Sequence, residues 1–220
     1  MKNKICIIGS STIIASEFIS LLGEDTTVVS AGRGKSDDIF LDINCNNFDQ
    51  VESIPLDCDK YLITLGYLLP KKISDQTRHE VLNSMAINLL YPVKLIERII
   101  EKNQKARIVI IGSESGFKGS YDTSYFISKA AISSYVREKR IKFAGQQLVM
   151  IAPSVILDTK MTQERKDYNK VLKRVSDLPK KRYLISSEVA KLIYHVLYID
   201  DGYINNEIIN MNGGKFARMS

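Results

Sequence analysis

The stretch Lys4-Ile5-Cys6-Ile7-Ile8-Gly9-Ser10-Ser11-Thr12 is a short apolar run that breaks at once into glycine and small hydroxyl residues. Its apolar positions are consecutive rather than alternating, the pattern of a strand covered on both faces. Six further short, β-rich apolar runs follow, at 27–30, 39–41, 61–65, 107–111, 148–152 and 207–210, several of them continuous in the same way. Longer stretches with apolar residues at helical spacing lie between them, at 12–22, 74–102, 123–143 and 187–198, the last opening on a Ser187 cap. Strands alternating with helices predict βαβ units and a parallel sheet, and right-handed crossovers place helices on both faces. The expected fold is α/β: one doubly wound, Rossmann-type parallel sheet.

The chain has 220 residues, 45% hydrophobic and 25% charged, which suits a single domain over 1–220. The first apolar run is too short for a secretory leader, and no stretch approaches the ~20 apolar residues of a membrane span. Cys6, Cys45 and Cys58 are odd in number and widely spaced, so a reducing, cytoplasmic setting is expected. His79 and His195 lack neighbouring ligands at helical spacing, and no metal is expected. The net charge is +6, and residues 160–182 account for it with nine bases against three acids. With only Tyr168 and Tyr183 available for stacking there, an anionic small molecule or partner is the expectation rather than nucleic acid. A solvated basic helix explains the same residues.

In doubly wound sheets, ligands bind beyond the carboxyl ends of the strands. Ser113 stands there in Ile111-Gly112-Ser113-Glu114-Ser115-Gly116, and twelve residues on comes Tyr125-Phe126-Ile127-Ser128-Lys129. Positions four apart share a helix face, so phenol and ammonium reach one site. A nearby cation favours the phenolate, which brings a group that ordinarily titrates near ~10 toward useful acid/base chemistry. Ser113 can hydrogen-bond a substrate oxygen while Tyr125 transfers its proton, and hydride must come from a cofactor. Two other pairs have the same spacing, Tyr67/Lys71 and Tyr135/Lys139, but neither has a serine at a strand end upstream.

With these residues the chain resembles the single-domain short-chain dehydrogenase/reductase family over nearly its whole length. Ile111-Gly112-Ser113 is similar to the family's serine turn, Tyr125 and Lys129 to its active-site pair, and the Ile204–Gly214 region to its last strand and Gly-Gly tail. The resemblance implies that Asn88 helps hold a water in a proton relay through Lys129. It also implies a dinucleotide over Gly9, Ser11, Thr12 and Ile14, although Ile13 and Ala15 replace two of the family's glycines. A β-branched Ile13 disfavours positive φ, so an altered turn or weakened binding is expected. Arg33 points to NADP, with NAD as the lesser alternative. Asp42 and Ile43 are implied at the adenine and Gly66 in the turn after the fourth strand. Ile156 and Thr159 are implied at the carboxamide. The basic segment, about 157–185, corresponds to the family's substrate lid. The implied activity interconverts a carbonyl and a hydroxyl, in a homodimer or homotetramer. A regulatory or binding protein on the same scaffold is the competing reading.

Overall fold

The computed structural model describes residues 3–165, 167–217 and 219. Its strands are β1 (Asn3–Ile8), β2 (Thr26–Gly32), β3 (Ile39–Phe40), β4 (Lys60–Ile63), β5 (Arg107–Ile111), β6 (Gln147–Pro153) and β7 (Ile208–Met211). They form one parallel sheet in the order β3-β2-β1-β4-β5-β6-β7. The helices are α1 (Ile13–Ile19), α2 (Arg78–Met85), α3 (Tyr91–Lys102), α4 (Ser115–Lys118) and α5 (Thr123–Glu138). Then come α6 (Lys160–Gln163), α7 (Tyr168–Lys173) and α8 (Ser186–Tyr194).

The consecutive apolar residues of each strand divide between two layers. Cys6, Ile8, Tyr61, Ile63, Ile108 and Ile110 pack on Leu95 and Ile99 of α3 and Ile132 and Val136 of α5. Ile5, Ile7, Leu62, Val109 and Ile111 pack on Ile14 and Phe18 of α1 and Val189 and Ile193 of α8. Both faces of the sheet are thus dry, which is why the strands read as unbroken apolar runs. Strand order reverses between β1 and β4, where Ile8 pairs with Ala31 on one side and Ile63 on the other. A crevice at this switch point is the expected ligand site.

The helix limits differ from expectation for local reasons. The 74–102 stretch begins at a capping box, with Thr77 N–H donating to Glu80 Oε2 (2.8 Å) and Glu80 N–H to Thr77 Oγ1 (3.2 Å). It is interrupted by a π-helical turn, Ala86–Leu90. The 123–143 stretch stops at Glu138, because Asn206 Nδ2 donates to the terminal carbonyls of Val136 (2.7 Å) and Lys139 (2.6 Å). Ser187 is not the cap of α8: the Asp158 carboxylate accepts from the N–H and Oγ of Ser186, and Glu188 accepts from Ile185 N–H.

Candidate active site

Tyr125 and Lys129 stand one turn apart on α5, and both are buried, Lys129 with only 2% of its surface exposed. Lys129 Nζ donates to Ile111 O (3.1 Å), at the carboxyl end of β5, and to Leu65 O (3.3 Å), just past β4. It lies 5.8 Å from the Tyr125 ring centroid. Burial depresses the ammonium to about 8, so it holds its proton at neutral pH by a narrow margin. Burial raises the Tyr125 phenol; the Ser113 hydroxyl beside it opposes the rise, and the Asp122 carboxylate adds to it. Ser113 Oγ itself accepts from Ser115 N–H (3.1 Å), which holds the hydroxyl at the start of α4.

Two residues that sequence reading passed over set this geometry. Asp122 caps α5: Oδ1 accepts from Tyr125 N–H (3.0 Å), Ser124 Oγ (2.8 Å) and Gln76 Nε2 (2.9 Å), and Oδ2 from Leu69 N–H (2.5 Å). One buried carboxylate therefore ties the loop after β4 to the helix that carries Tyr125. An Asp directly before a helical run was the available signal. Gly116 lets α4 approach α5, since a Cβ there would lie 2.8 Å from Lys129 O.

Asn88 is buried in the π-helical turn, and its amide clamps Tyr67, accepting from the N–H and donating to the O (both 2.8 Å). Its remaining bond goes to Ser84 Oγ (3.2 Å). Its side chain therefore fixes the loop that presents Leu65 O to Lys129. The rival pair Tyr135/Lys139 is a surface cluster, both side chains donating to Glu97. Tyr67/Lys71 lies in the loop after β4, where Lys71 pairs with Glu80 (2.5 Å).

At the switch point Gly9 has φ +91°, and a Cβ there would lie 2.5 Å from Thr64 Oγ1. Thr64 donates to Gly9 O (2.7 Å) and in turn accepts from Thr12 Oγ1 (3.2 Å), while Thr12 caps α1. The left-handed backbone this turn needs falls on Gly9 alone. Ile13 begins α1 with ordinary helical geometry, so no strain accompanies its replacement of glycine. Ser11 is exposed, whereas Ile14 points into the core, leaving only its backbone for any ligand.

Beyond β2, Arg33 is exposed, and an unforeseen carboxylate stands beside it. Asp37 accepts from Ser10 Oγ (2.5 Å) and from Gly34 N–H (2.7 Å), close against Gly32. An anion already sits there, on donors suited to one. Asp42 N–H is held by Gln50 Oε1 (2.9 Å), and Ile43 is buried in the core.

The basic segment is an excursion pinned at its neck. Ile156 bridges Leu184, Leu157 N–H donates to Leu184 O (2.9 Å), and the Asp158–Ser186 bonds close the loop. Ile156 is buried, while Thr159 Oγ1 donates to Ile156 O (3.1 Å) before α6. Met161 leans over Gly66, its Cε 3.2 Å from where a Cβ would stand. Two of the bases are neutralised, Arg165 by Asp167 (2.8 Å) and Arg182 by Glu188 (2.6 Å); Lys166 lies outside the described residues. A cavity of about 450 Å³ opens between this segment and α8, lined by Leu157, Leu172, Val175, Tyr183 and Lys191 among others. Among the described residues no cluster of three metal-ligating side chains exists, and no helix is long and apolar enough to cross a membrane.

A doubly wound parallel sheet with a serine, a tyrosine and a lysine gathered at its carboxyl edge defines a dehydrogenase-like α/β protein. The family model described as enoyl-(acyl carrier protein) reductase matches residues 46–215. The chain belongs to the short-chain dehydrogenase/reductase family. It is 28% identical over 144 residues to the 3-oxoacyl-[acyl-carrier-protein] reductase FabG of Buchnera aphidicola subsp. Baizongia pistaciae, covering 64% of this chain and 58% of that protein. The FabG of Haemophilus influenzae is 25% identical over 148 residues, covering 66% and 60%. The matched stretch thus spans less than two thirds of these curated relatives. Among solved structures, ElxO with NADP bound superposes with a TM-score of 0.84 at 20% identity, over 99% of this chain and 100% of that one. A short-chain dehydrogenase family protein from Francisella tularensis gives 0.83 at 18%, over 99% and 100%.

Proposed function

We propose that this chain is a single-domain, cytoplasmic NADP(H)-dependent oxidoreductase that interconverts a carbonyl and a hydroxyl group. The observation that carries this reading is the buried Lys129 ammonium on the carbonyls of Ile111 and Leu65, facing the Tyr125 ring beside Ser113. The residues at the switch point suit a dinucleotide: Gly9 supplies the left-handed turn between β1 and the start of α1, and Asp37 rests where Ser10 and Gly34 already receive an anion. Gly9, Ser11, Thr12 and the Ile14 backbone would hold the phosphates, and Asp42 and Ile43 would flank the adenine. Gly66, Ile156 and Thr159 would bound the nicotinamide end, where Tyr125 and Lys129 also lie.

Such a cofactor, when bound, supplies the hydride that no side chain can. The chain's own part is acid/base chemistry. Ser113 Oγ donates a hydrogen bond to the substrate oxygen and orients it. Tyr125 Oη gives a proton to that oxygen in reduction and accepts one in oxidation. The Lys129 ammonium stabilises the phenolate left behind. Asn88 acts through the loop at Tyr67 and so positions the Leu65 carbonyl under Lys129, where a relay water would be held. Arg33 favours the 2′-phosphate of NADP, and Asp37 competes with it for the same ground.

The basic, neck-pinned segment 157–185 supports an anionic substrate that it would cover, with carrier- or nucleotide-linked carbonyl compounds in the accessible class. The exposed apolar residues Leu82, Leu90 and Ile127 on α2, the π-helical turn and α5 support a homodimer or homotetramer built on those helices.

The test is Tyr125→Phe, assayed with NADPH and a 3-oxoacyl thioester. Turnover falls by a factor of at least about 10³ while nucleotide fluorescence still reports binding. Near-normal turnover refutes the assignment. An unaltered protein that fails to bind NADPH or NADH refutes the enzyme reading altogether.

A further inference from the structure

Away from this site, three side chains close a ring on the surface between the loop after β3 and α2. Cys45 N–H donates to Asn83 Oδ1 (2.9 Å), which fixes the amide so that its Nδ2 faces His79 Nε2 (2.9 Å). An amide NH2 only donates, so Nε2 is bare and the neutral imidazole carries its proton on Nδ1. That Nδ1 faces Cys45 Sγ at 3.6 Å. The thiol's own hydrogen points the other way, to Asn46 Oδ1 (3.7 Å). Sulfur therefore accepts a hydrogen bond from a neutral imidazole, and its proton has an exit to solvent. Cys45 is half-buried with His79 exposed over it, whereas Cys6 and Cys58 are fully buried.

We propose that Cys45 is a reactive thiol, a modification site for soft electrophiles and hydroperoxides that His79 activates and Asn83 orients. The Nδ1–H stabilises the negative charge that sulfur gains as the thiol proton leaves, and the sulfur pair then attacks. With an alkyl iodide the S–C bond forms as C–I breaks, iodide leaves, and the thiol proton passes to water. With a hydroperoxide, sulfur attacks one peroxide oxygen and the O–O bond breaks. Sulfur is oxidised to the sulfenic acid, and the hydroperoxide is reduced to an alcohol or water that carries off the thiol proton. Either adduct places new atoms on the sulfur that His79 Nδ1 faces and so strains the ring that joins the 42–47 loop to α2. Asp42 and Ile43 lie on that loop, so modification would loosen the adenine wall; this consequence, unlike the thiol chemistry, rests on the dinucleotide reading above.

Iodoacetamide labelling of the native protein, resolved by peptide mass spectrometry, tests the site, with wild type compared against His79→Ala and Asn83→Leu. Cys45 is expected to alkylate at least about tenfold faster in wild type than in either variant, and faster than glutathione in the same tube. Cys6 and Cys58 should stay unlabelled until urea is added, which reports that each variant is folded. A Cys45 rate in folded His79→Ala within about twofold of wild type, or a wild-type rate no faster than glutathione, overturns the proposal. Titration with NADPH before and after labelling reads the second consequence. Binding that is unchanged by the adduct overturns the loosening. No binding even before labelling overturns the dinucleotide reading, while the rate ratio still decides the thiol.

Discussion

Lys129→Met separates what this lysine does for the site from what it costs the fold. The ammonium is buried without a compensating carboxylate among the described residues, and burial alone takes it from 10.5 to about 8. At about 1.4 kcal/mol per pH unit, keeping it charged at pH 7 costs the folded chain about 3 kcal/mol. Methionine fills a similar volume without charge, but it leaves the carbonyls of Leu65 and Ile111 without their donor, at roughly 1 kcal/mol each. The variant should therefore be more stable at pH 7 by about 1 kcal/mol, a rise of roughly 2–4 °C in Tm for a chain of this size. The folded-state value lies below the unfolded one, so between pH 8 and 10.5 the unfolded chain binds the proton that the folded chain has released. Wild-type stability thus climbs through that window by about 1.4 kcal/mol per pH unit, so the variant's advantage is gone by about pH 9 and is reversed at pH 10. Urea denaturation followed by circular dichroism at pH 7 and pH 10 measures both ends. A variant less stable than wild type at pH 7 by the same amount as at pH 10 refutes the reasoning. It would mean that the ammonium has electrostatic compensation inside the folded chain.

Gly9→Ala places a Cβ on Thr64 Oγ1 and forces a non-glycine residue to φ +91°, so a loss of about 2 kcal/mol or more in thermal or urea unfolding is expected. Unfolding within about 0.5 kcal/mol of wild type would show that the turn relaxes freely. Asp37→Ser removes the carboxylate that competes for Ser10 and Gly34, and fluorescence titration should show NADPH affinity rising about tenfold relative to NADH. A parallel fall in NADH affinity would instead make Asp37 a ligand of the ribose hydroxyls.

The sheet was legible because its strands are covered on both faces, so 5–8, 108–111 and 148–152 read as unbroken apolar runs. Ser113, Tyr125 and Lys129 were legible because a strand end and a four-residue helical spacing are local facts. The interruption at Asn88 was not, since a π-helical turn arises from tertiary contacts, here the clamp on Tyr67 twenty-one residues away. The doubt over Ile13 came from comparing glycines position by position. Within this turn the backbone is left-handed only at Gly9, so the residues in place of the other glycines meet no demand for positive φ.

Asp122 carries the same point into the chemistry. Its four hydrogen bonds join Leu69 and Gln76 to the first turn of α5, so the loop carrying the Leu65 carbonyl and the helix carrying Lys129 share one buried anchor. The four-residue spacing within α5 guarantees only that Tyr125 and Lys129 face the same way. That they face the carboxyl ends of β4 and β5 depends on this carboxylate and on the close approach that Gly116 permits. A Tyr-x-x-x-Lys pair without such anchors, like Tyr135 and Lys139 on the outer side of the same helix, becomes a surface ion-pair cluster. The spacing therefore brings a tyrosine–lysine pair to the strand ends only where long-range polar contacts seat its helix against them.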